Sequence, residues 1–327
     1  MKVALFSAQP YDIDYFKKIN TKHFINYYET RLDINTVNLA KNYTCVCVFV
    51  NDKLNEQVIN ELANVGTQLI ALRCAGFNNV DVEAAKKFNI KVVRVPAYSP
   101  QAVAEHAVAL ILTLNRKTHK AYNRVREQNF SLDKLIGFDL YKKTVGIVGT
   151  GNIGKAFAKI MLGFGCNVIA FDPNPDNELK LIGVSYFDLN HILKYSDIIS
   201  LHCPLNNHTH HLINTKTLNL MKDGVMLINT SRGGLINTKD AIVALKNQKL
   251  GYLGIDVYEQ EEHLFFKDLS ESIISDDLIA RLMSFPNVIV TSHQGFFTHE
   301  AMTEIAETTL QNITDFETGK TLTNEVL

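Results

Sequence analysis

The chain has 327 residues, 46% of them hydrophobic, which is ample for about two domains of roughly 150 residues each. Its 33 basic and 34 acidic residues leave a formal charge of -1, which provides no field to gather nucleic acid or an anionic membrane. No uncharged apolar stretch reaches the ~18 residues of a membrane span, Met1 to Phe6 is too short for a signal h-region, and Cys45, Cys47, Cys74, Cys166 and Cys203 contain no CxxC pair, so a soluble protein of the reducing cytoplasm is expected.

From the N-terminus, the short apolar runs 3–6, 45–50, 69–72 and 91–95 alternate with polar, helix-compatible segments. That is the rhythm of parallel βα units. The run 46–50 is apolar without alternation, as expected of a strand covered on both faces. Next, Ser99 as N-cap and Pro100 in the first helical position open a helix. It is apolar nearly all round from 102 to 114, so it is expected in a domain junction or a subunit interface. Its His106 reads as a satisfied interior histidine, because no partner is spaced to join it in a site.

The run 144–148 leads into Gly149-Thr150-Gly151-Asn152-Ile153-Gly154 and then an amphipathic run to 163. In a strand, glycine turn and helix of this kind, the first glycine turns the chain and the second lets backbone approach a pyrophosphate. The third lets helix pack on strand, and the phosphates sit on the helix N-terminus. The following strand, 167–171, ends on Asp172, placed to accept hydrogen bonds from the adenosine ribose. The stretch therefore reads as a dinucleotide site.

Alternation resumes with strands at 198–201, 225–229, 253–257 and 288–291. They lead to His202-Cys203-Pro204, to Thr230-Ser231-Arg232-Gly233-Gly234, to Asp256 and to His293. Ligands bind outside the carboxyl ends of strands in open α/β sheets, so these residues are expected to converge on one crevice. The glycines after Arg232 leave its fork of donors accessible to a carboxylate. Glu261, within an acidic loop, and His293 each have an ordinary reading as solvated acid and structural histidine. Together with Arg232, however, they supply what hydride transfer to a 2-keto acid requires: an arginine for the carboxylate, a histidine for the proton and an acid to orient it. His208, His210 and His211 lie in a polar loop with no cysteine or paired acid near them in sequence, so no metal site is assigned. Cys203, followed by Pro204, reads as lining a nicotinamide pocket rather than as a nucleophile.

After 300–310, which has helical spacing, too few residues remain for a third domain. The chain is therefore expected to return to its first domain. The fold class is α/β, with two doubly wound parallel-sheet domains. A flavodoxin-like, discontinuous substrate domain takes 1–98 and 297–327, and a Rossmann cofactor domain takes 99–296, with a hinge at the crossings and the cleft between the domains.

The motifs GTGNIG, FDP with Asp172, HCPL from His202, NTSRGGLI around Arg232, DVYEQE through Glu261, LFF and SHQGF around His293 resemble the D-specific 2-hydroxyacid dehydrogenases. LRCAGFNNVD from Leu72 and VPAYSPQAVAEHA from Val95 are similar to the bacterial fermentative D-lactate dehydrogenase subgroup. The resemblance spans essentially the whole chain. It implies that Arg232 holds the substrate carboxylate and keto oxygen, that His293 donates the proton, and that Glu261 is its partner. It further implies that backbone N–H groups at Ala75 and Gly76 grip the carboxylate while Tyr98 and Phe296 close the pocket. For an NAD cofactor it implies Gly149, Gly151, Gly154, Asn152 and Ile153 at the pyrophosphate, Asp172 at the ribose, Cys203, Pro204 and Thr209 toward the adenine, and Thr230 and Asp256 at the nicotinamide. Phe49 and Phe77 add bulk to segments expected near the crevice. The implied reaction is reversible reduction of pyruvate to D-lactate by a homodimer or higher homo-oligomer joined through the cofactor domain. A dehydrogenase for a longer 2-hydroxy acid and a non-catalytic NAD-sensing regulator are the alternatives.

Overall fold

The computed structural model describes residues 1–326, and of His263 the backbone alone. The chain forms two compact units, Met1–Ser99 with Phe296–Leu327, and Pro100–Gly295. Each crossing falls one residue from the bound expected above.

In the first unit, β1 (Lys2–Leu5), β2 (Phe24–Tyr27), β3 (Cys45–Val48), β4 (Leu69–Leu72) and β5 (Lys91–Val93) form one parallel sheet in the order β2-β1-β3-β4-β5. This is the flavodoxin-like order. Successive side chains of a strand point to opposite faces, and the apolar runs divide accordingly. Val3, Leu5, Cys45, Cys47, Leu69 and Ala71 pack with Phe16 of helix Pro10–Ile19 and with Ala306, Leu310 and Ile313 of helix His299–Glu317. Ala4, Val46, Val48, Ile70 and Leu72 pack with helices Glu56–Asn64 and Val82–Lys87 on the other face. A fully buried Val, Leu or Ile contributes about 1.5–3 kcal/mol, against about 1 kcal/mol net for a hydrogen bond. Packing therefore decides which way each strand faces. The same term draws the C-terminal helix back to this unit, because its apolar stripe has a sheet face to cover.

The second unit contains β6 (Thr144–Val148), β7 (Asn167–Phe171), β8 (Ser185–Tyr186), β9 (Ile198–Leu201), β10 (Val225–Asn229), β11 (Leu250–Ile255) and β12 (Val288–Val290). They are all parallel, in the order β12-β11-β10-β9-β6-β7-β8. This is the doubly wound dinucleotide-fold order extended by one strand, and it reverses between β6 and β9, the place where such sheets bind ligands. Strand β11 starts earlier than expected and ends at Ile255, so Asp256 stands just past it rather than inside it. β2 and β8, which no apolar run announces, each lie at one edge of their sheet, with β5 and β12 at the opposite edges.

The apolar helix Pro100–Arg116 corrects the sequence expectation. Ala104, Ala107, Leu110, Ile111 and Leu114 pack with Val145, Ile147, Met226 and Ile228 of the sheet and with Phe157 and Met161 of helix Asn152–Gly163. Its own unit covers it, because a helix laid on a parallel sheet and flanked by a second helix has little surface left to expose.

Candidate active site

The glycine turn between β6 and helix Asn152–Gly163 has the shape a pyrophosphate needs. Gly149 has φ 94°, and a Cβ there would stand 2.8 Å from the backbone of His202 and Cys203. At Gly154 a Cβ would stand 2.0 Å from Gly149 O, so only glycine lets this helix start so close to its strand. Gly151, by contrast, faces open space, with nothing within 4 Å of an added Cβ. Asn152 opens the helix and Ile153 packs inward against the sheet. The helix N-terminus thus presents its N–H groups and positive dipole end beside an uncluttered Gly151.

Asp172, one residue past β7, fastens that turn. Its Oδ2 accepts the Thr150 N–H at 2.6 Å and its Oδ1 the Asn174 N–H at 2.8 Å, while Tyr186 Oη donates to Thr150 Oγ1 at 3.0 Å. After β9, Cys203 is buried, and burial pushes its thiol up to about 11, which suits a wall residue and not a nucleophile. Pro204 and Thr209 belong to one turn, in which Thr209 Oγ1 donates to Pro204 O at 2.7 Å. Thr230, past β10, is buried, and its Oγ1 has no hydrogen-bond partner among the described residues. An orphaned buried hydroxyl costs about 1–3 kcal/mol, and an amide group such as that of nicotinamide would satisfy it. The open Gly151, the held Asp172 and the orphaned Thr230 together fit a dinucleotide.

Asp256 gathers a cluster that sequence spacing does not reveal. Oδ1 accepts Thr291 Oγ1 at 2.5 Å and the Gln294 N–H at 2.9 Å, and Oδ2 accepts the Gly295 N–H at 2.8 Å. His106 Nε2 lies 3.1 Å from Thr291 Oγ1 and 3.3 Å from Asp256 Oδ1. Burial alone would raise the Asp256 carboxyl, but bonds and charge from His106, then Thr291 and His293, outweigh it and hold it down to about 2. His106 is satisfied, as expected, but it does have a partner in a site residue, 150 positions away in sequence.

The three residues proposed for chemistry also follow the carboxyl ends of parallel strands. Arg232, after β10, is half-buried with Nη1 donating to Ser231 O at 2.7 Å; Asn229 Nδ2 in turn donates to Arg232 O at 2.8 Å. The glycine beside it serves a different purpose from the one expected. A Cβ on Gly233 would stand 2.1 Å from the Tyr258 carbonyl carbon, so this glycine admits the Tyr258–Glu259 backbone rather than a ligand. Beyond β11, Glu261 Oε2 accepts the Tyr258 N–H at 2.9 Å and its Oε1 lies 2.8 Å from His293 Nδ1. The carboxylate therefore favours the neutral tautomer that carries its proton on Nδ1. His293 has φ 54°, a left-handed conformation costing about 1–2 kcal/mol in a non-glycine residue. Its N–H donates to Asp256 O at 2.7 Å. With the two bonds from Gln294 and Gly295 to a carboxylate, each worth about 1.5–3 kcal/mol, this exceeds the strain.

In the first unit, Ala75 O accepts from Arg94 Nη1 at 2.8 Å and Cys74 O from the Val95 N–H at 3.2 Å, which fixes the peptide planes that carry the Gly76 and Ala75 N–H groups. The Tyr98 and Phe49 rings each lie 6.1 Å from that of Phe296. Phe77 stands apart from them, 5.2 Å beneath the Arg94 guanidinium.

One histidine of the polar loop has an acid neighbour after all. His211 Nε2 lies 2.5 Å from Glu259 Oε1, and donor atoms of His210, His211 and Glu259 fall within 4.8 Å of one another. Glu259 was invisible as a partner because it lies 48 residues away. Thr238 Oγ1 lies 3.4 Å from the other oxygen of Glu259.

Residues 108–295 match the family model "D-isomer specific 2-hydroxyacid dehydrogenase, NAD binding domain". A D-lactate dehydrogenase of Escherichia coli strain K12 is 49% identical over 329 aligned positions that cover 100% of both chains. The apo-structure of D-lactate dehydrogenase from Escherichia coli superposes with a TM-score of 0.92 at 47% identity, covering 100% of each chain. A D-lactate dehydrogenase from Aquifex aeolicus complexed with NAD and lactic acid superposes with a TM-score of 0.86 at 35% identity, covering 97% of this chain and 96% of that one.

Proposed function

The chain belongs to the D-isomer specific 2-hydroxyacid dehydrogenase family, and from that premise we propose that it reversibly reduces pyruvate to D-lactate with NADH. The bound cofactor supplies a hydride to C2 of the keto acid. Arg232 pairs with the carboxylate and polarises the keto oxygen as negative charge develops there. His293 donates the Nε2 proton to that oxygen, so the C=O π bond is replaced by one C–H and one O–H bond. Glu261 keeps the ring in the tautomer that allows this. The observation that carries the reading is the 2.8 Å contact between Glu261 Oε1 and His293 Nδ1, at the strand ends of the NAD-binding unit.

The same reading assigns the Ala75 and Gly76 amides to the substrate carboxylate, with Tyr98 and Phe296 at the methyl end. The clustering of Phe49 and Tyr98 on Phe296 supports a small side-chain pocket. We place the protein in the cytoplasm, in fermentative reduction; its five free, buried cysteines suit a reducing compartment, and no described helix is long and apolar enough to cross a membrane. A second copy is assigned to the NAD-binding unit, where Tyr122, Phe130, Leu132, Ile136 and Tyr141 are exposed, Leu132 to 82% and Ile136 to 83%.

Loss of NADH absorbance across a panel of 2-keto acids tests the reaction, with the product identified by a D-lactate-specific assay. Pyruvate is expected to give the highest kcat/KM. A higher value with 2-ketoisocaproate would transfer the assignment to a longer-chain dehydrogenase, and NADH binding without turnover would favour a regulator.

A further inference from the structure

A proton donor is useful only if its ring waits where the substrate oxygen arrives, and His293 holds a left-handed backbone, φ 54°, that must be imposed on it. Asp256 imposes it. Its carbonyl takes the His293 N–H at 2.7 Å and its carboxylate takes the next two, from Gln294 at 2.9 Å and Gly295 at 2.8 Å. A carboxylate can grip a loop only while it cannot rotate. Here Thr291 Oγ1 closes on Oδ1 at 2.5 Å, and His106 Nε2 stands within 3.1 Å of that hydroxyl and 3.3 Å of Oδ1. The Asp256 side chain is 2% exposed, which leaves these bonds unscreened.

Gly295 shows independently how tightly the assembly is closed. A Cβ there would stand 2.9 Å from Asp256 Oδ2 and 3.4 Å from His106 Cδ2, so carboxylate and imidazole both seat against a backbone that has no room for a side chain.

We propose that His106, acting through Thr291 and Asp256, is a positioning residue that fixes the segment carrying the proton donor His293. The role rests on the dehydrogenase reading of the site. His106 comes from helix Pro100–Arg116, whose apolar face is anchored on the sheet core. The rigid interior of the unit is thereby connected to a segment that otherwise holds a strained conformation.

Three variants separate positioning from bulk stability. His106→Leu removes the donor, Thr291→Val removes the hydroxyl at nearly constant shape, and His106→Gln keeps an amide nitrogen near the place of Nε2. Each is compared with the parent enzyme on the parent's best 2-keto acid, by NADH affinity, kcat, melting temperature and the isotope effect with deuterated NADH. A displacement of about 1 Å costs roughly 100-fold in rate, so a smaller release of the segment should lower kcat roughly tenfold in the Leu and Val variants. NADH affinity should hold, the isotope effect should rise as chemistry becomes more rate-limiting, and Gln should recover most of the loss. The proposal is overturned if the Leu and Val variants keep the parent kcat. It is equally overturned if kcat, NADH affinity and melting temperature fall together and Gln does no better than Leu. A parent enzyme that turns over no 2-keto acid would instead remove the dehydrogenase reading, and this role with it.

Discussion

Glu261 Oε1 and His293 Nδ1 lie 2.8 Å apart, and the other oxygen of Glu261 is fixed by the Tyr258 N–H at 2.9 Å. One carboxylate thus orients the ring. Glu261→Gln preserves shape and a hydrogen-bonding group but removes the charge. The rate of pyruvate reduction should fall by less than the roughly 100- to 10,000-fold that general acid catalysis supplies. A variant that reduces pyruvate at the parent rate would mean that Glu261 does not orient the ring.

In the proposed reading Asp172 sets the cofactor preference. Its carboxylate is held by Thr150 and Asn174, and the neighbouring cation Lys155 is paired with Asp176 at 3.0 Å and Glu178 at 2.6 Å. A 2′-phosphate would meet a fixed negative charge, so NADH should exceed NADPH in kcat/KM. Asp172→Ala should narrow that gap and also raise KM for NADH, since Thr150 loses its anchor. Equal kcat/KM for the two cofactors in the parent enzyme would contradict the assignment.

Arg232→Lys keeps the charge and loses the fork. Losing one charge-assisted hydrogen bond, about 1.5–3 kcal/mol, corresponds to a fall of roughly 10- to 150-fold in kcat/KM for pyruvate. Both KM and kcat should suffer, because in the proposed mechanism the guanidinium acts on the carboxylate and on the developing oxyanion. NADH affinity measured by fluorescence should be nearly intact, and a variant changed in NADH affinity alone would count against this role.

His202 links the glycine turn to acid sensitivity. It is half-buried beside Phe157, at a ring separation of 4.9 Å, with Nε2 2.9 Å from Ser200 Oγ, and desolvation of the ring lowers it from 6.5 to about 3. Between those two values the unfolded chain binds a proton that the folded protein refuses, so stability falls as pH drops through this window. His202→Asn cannot titrate. Its melting temperature should decline less steeply than the parent's from pH ~6.5 downward; parallel slopes would exclude His202 as a source of acid sensitivity.

The central strands were legible because each is buried on both faces and writes itself as an unbroken apolar run, as at Leu69–Leu72 and Val225–Asn229. Two of the four edge strands, Phe24–Tyr27 and Ser185–Tyr186, have no such run, and none of their residues is fully buried. Glycine function was legible where a ligand motif demands it, at Gly149 and Gly154. It was misread at Gly233, whose missing side chain admits the Tyr258 backbone. Residue types at strand ends were readable from local pattern, whereas the convergence of His106, Asp256 and Thr291 depends on how a helix lies on a sheet. The apolar surface of helix Pro100–Arg116 likewise states that something covers it without saying what, and its own sheet turns out to do so.

The central claim is that His293 supplies the proton while the rest of the NAD-binding unit holds the cofactor. It is tested most directly by measuring kcat for pyruvate reduction and NADH affinity side by side in His293→Gln. The account predicts a rate loss of roughly 100- to 10,000-fold with NADH bound as tightly as in the parent; a variant that reduces pyruvate at the parent rate would contradict it.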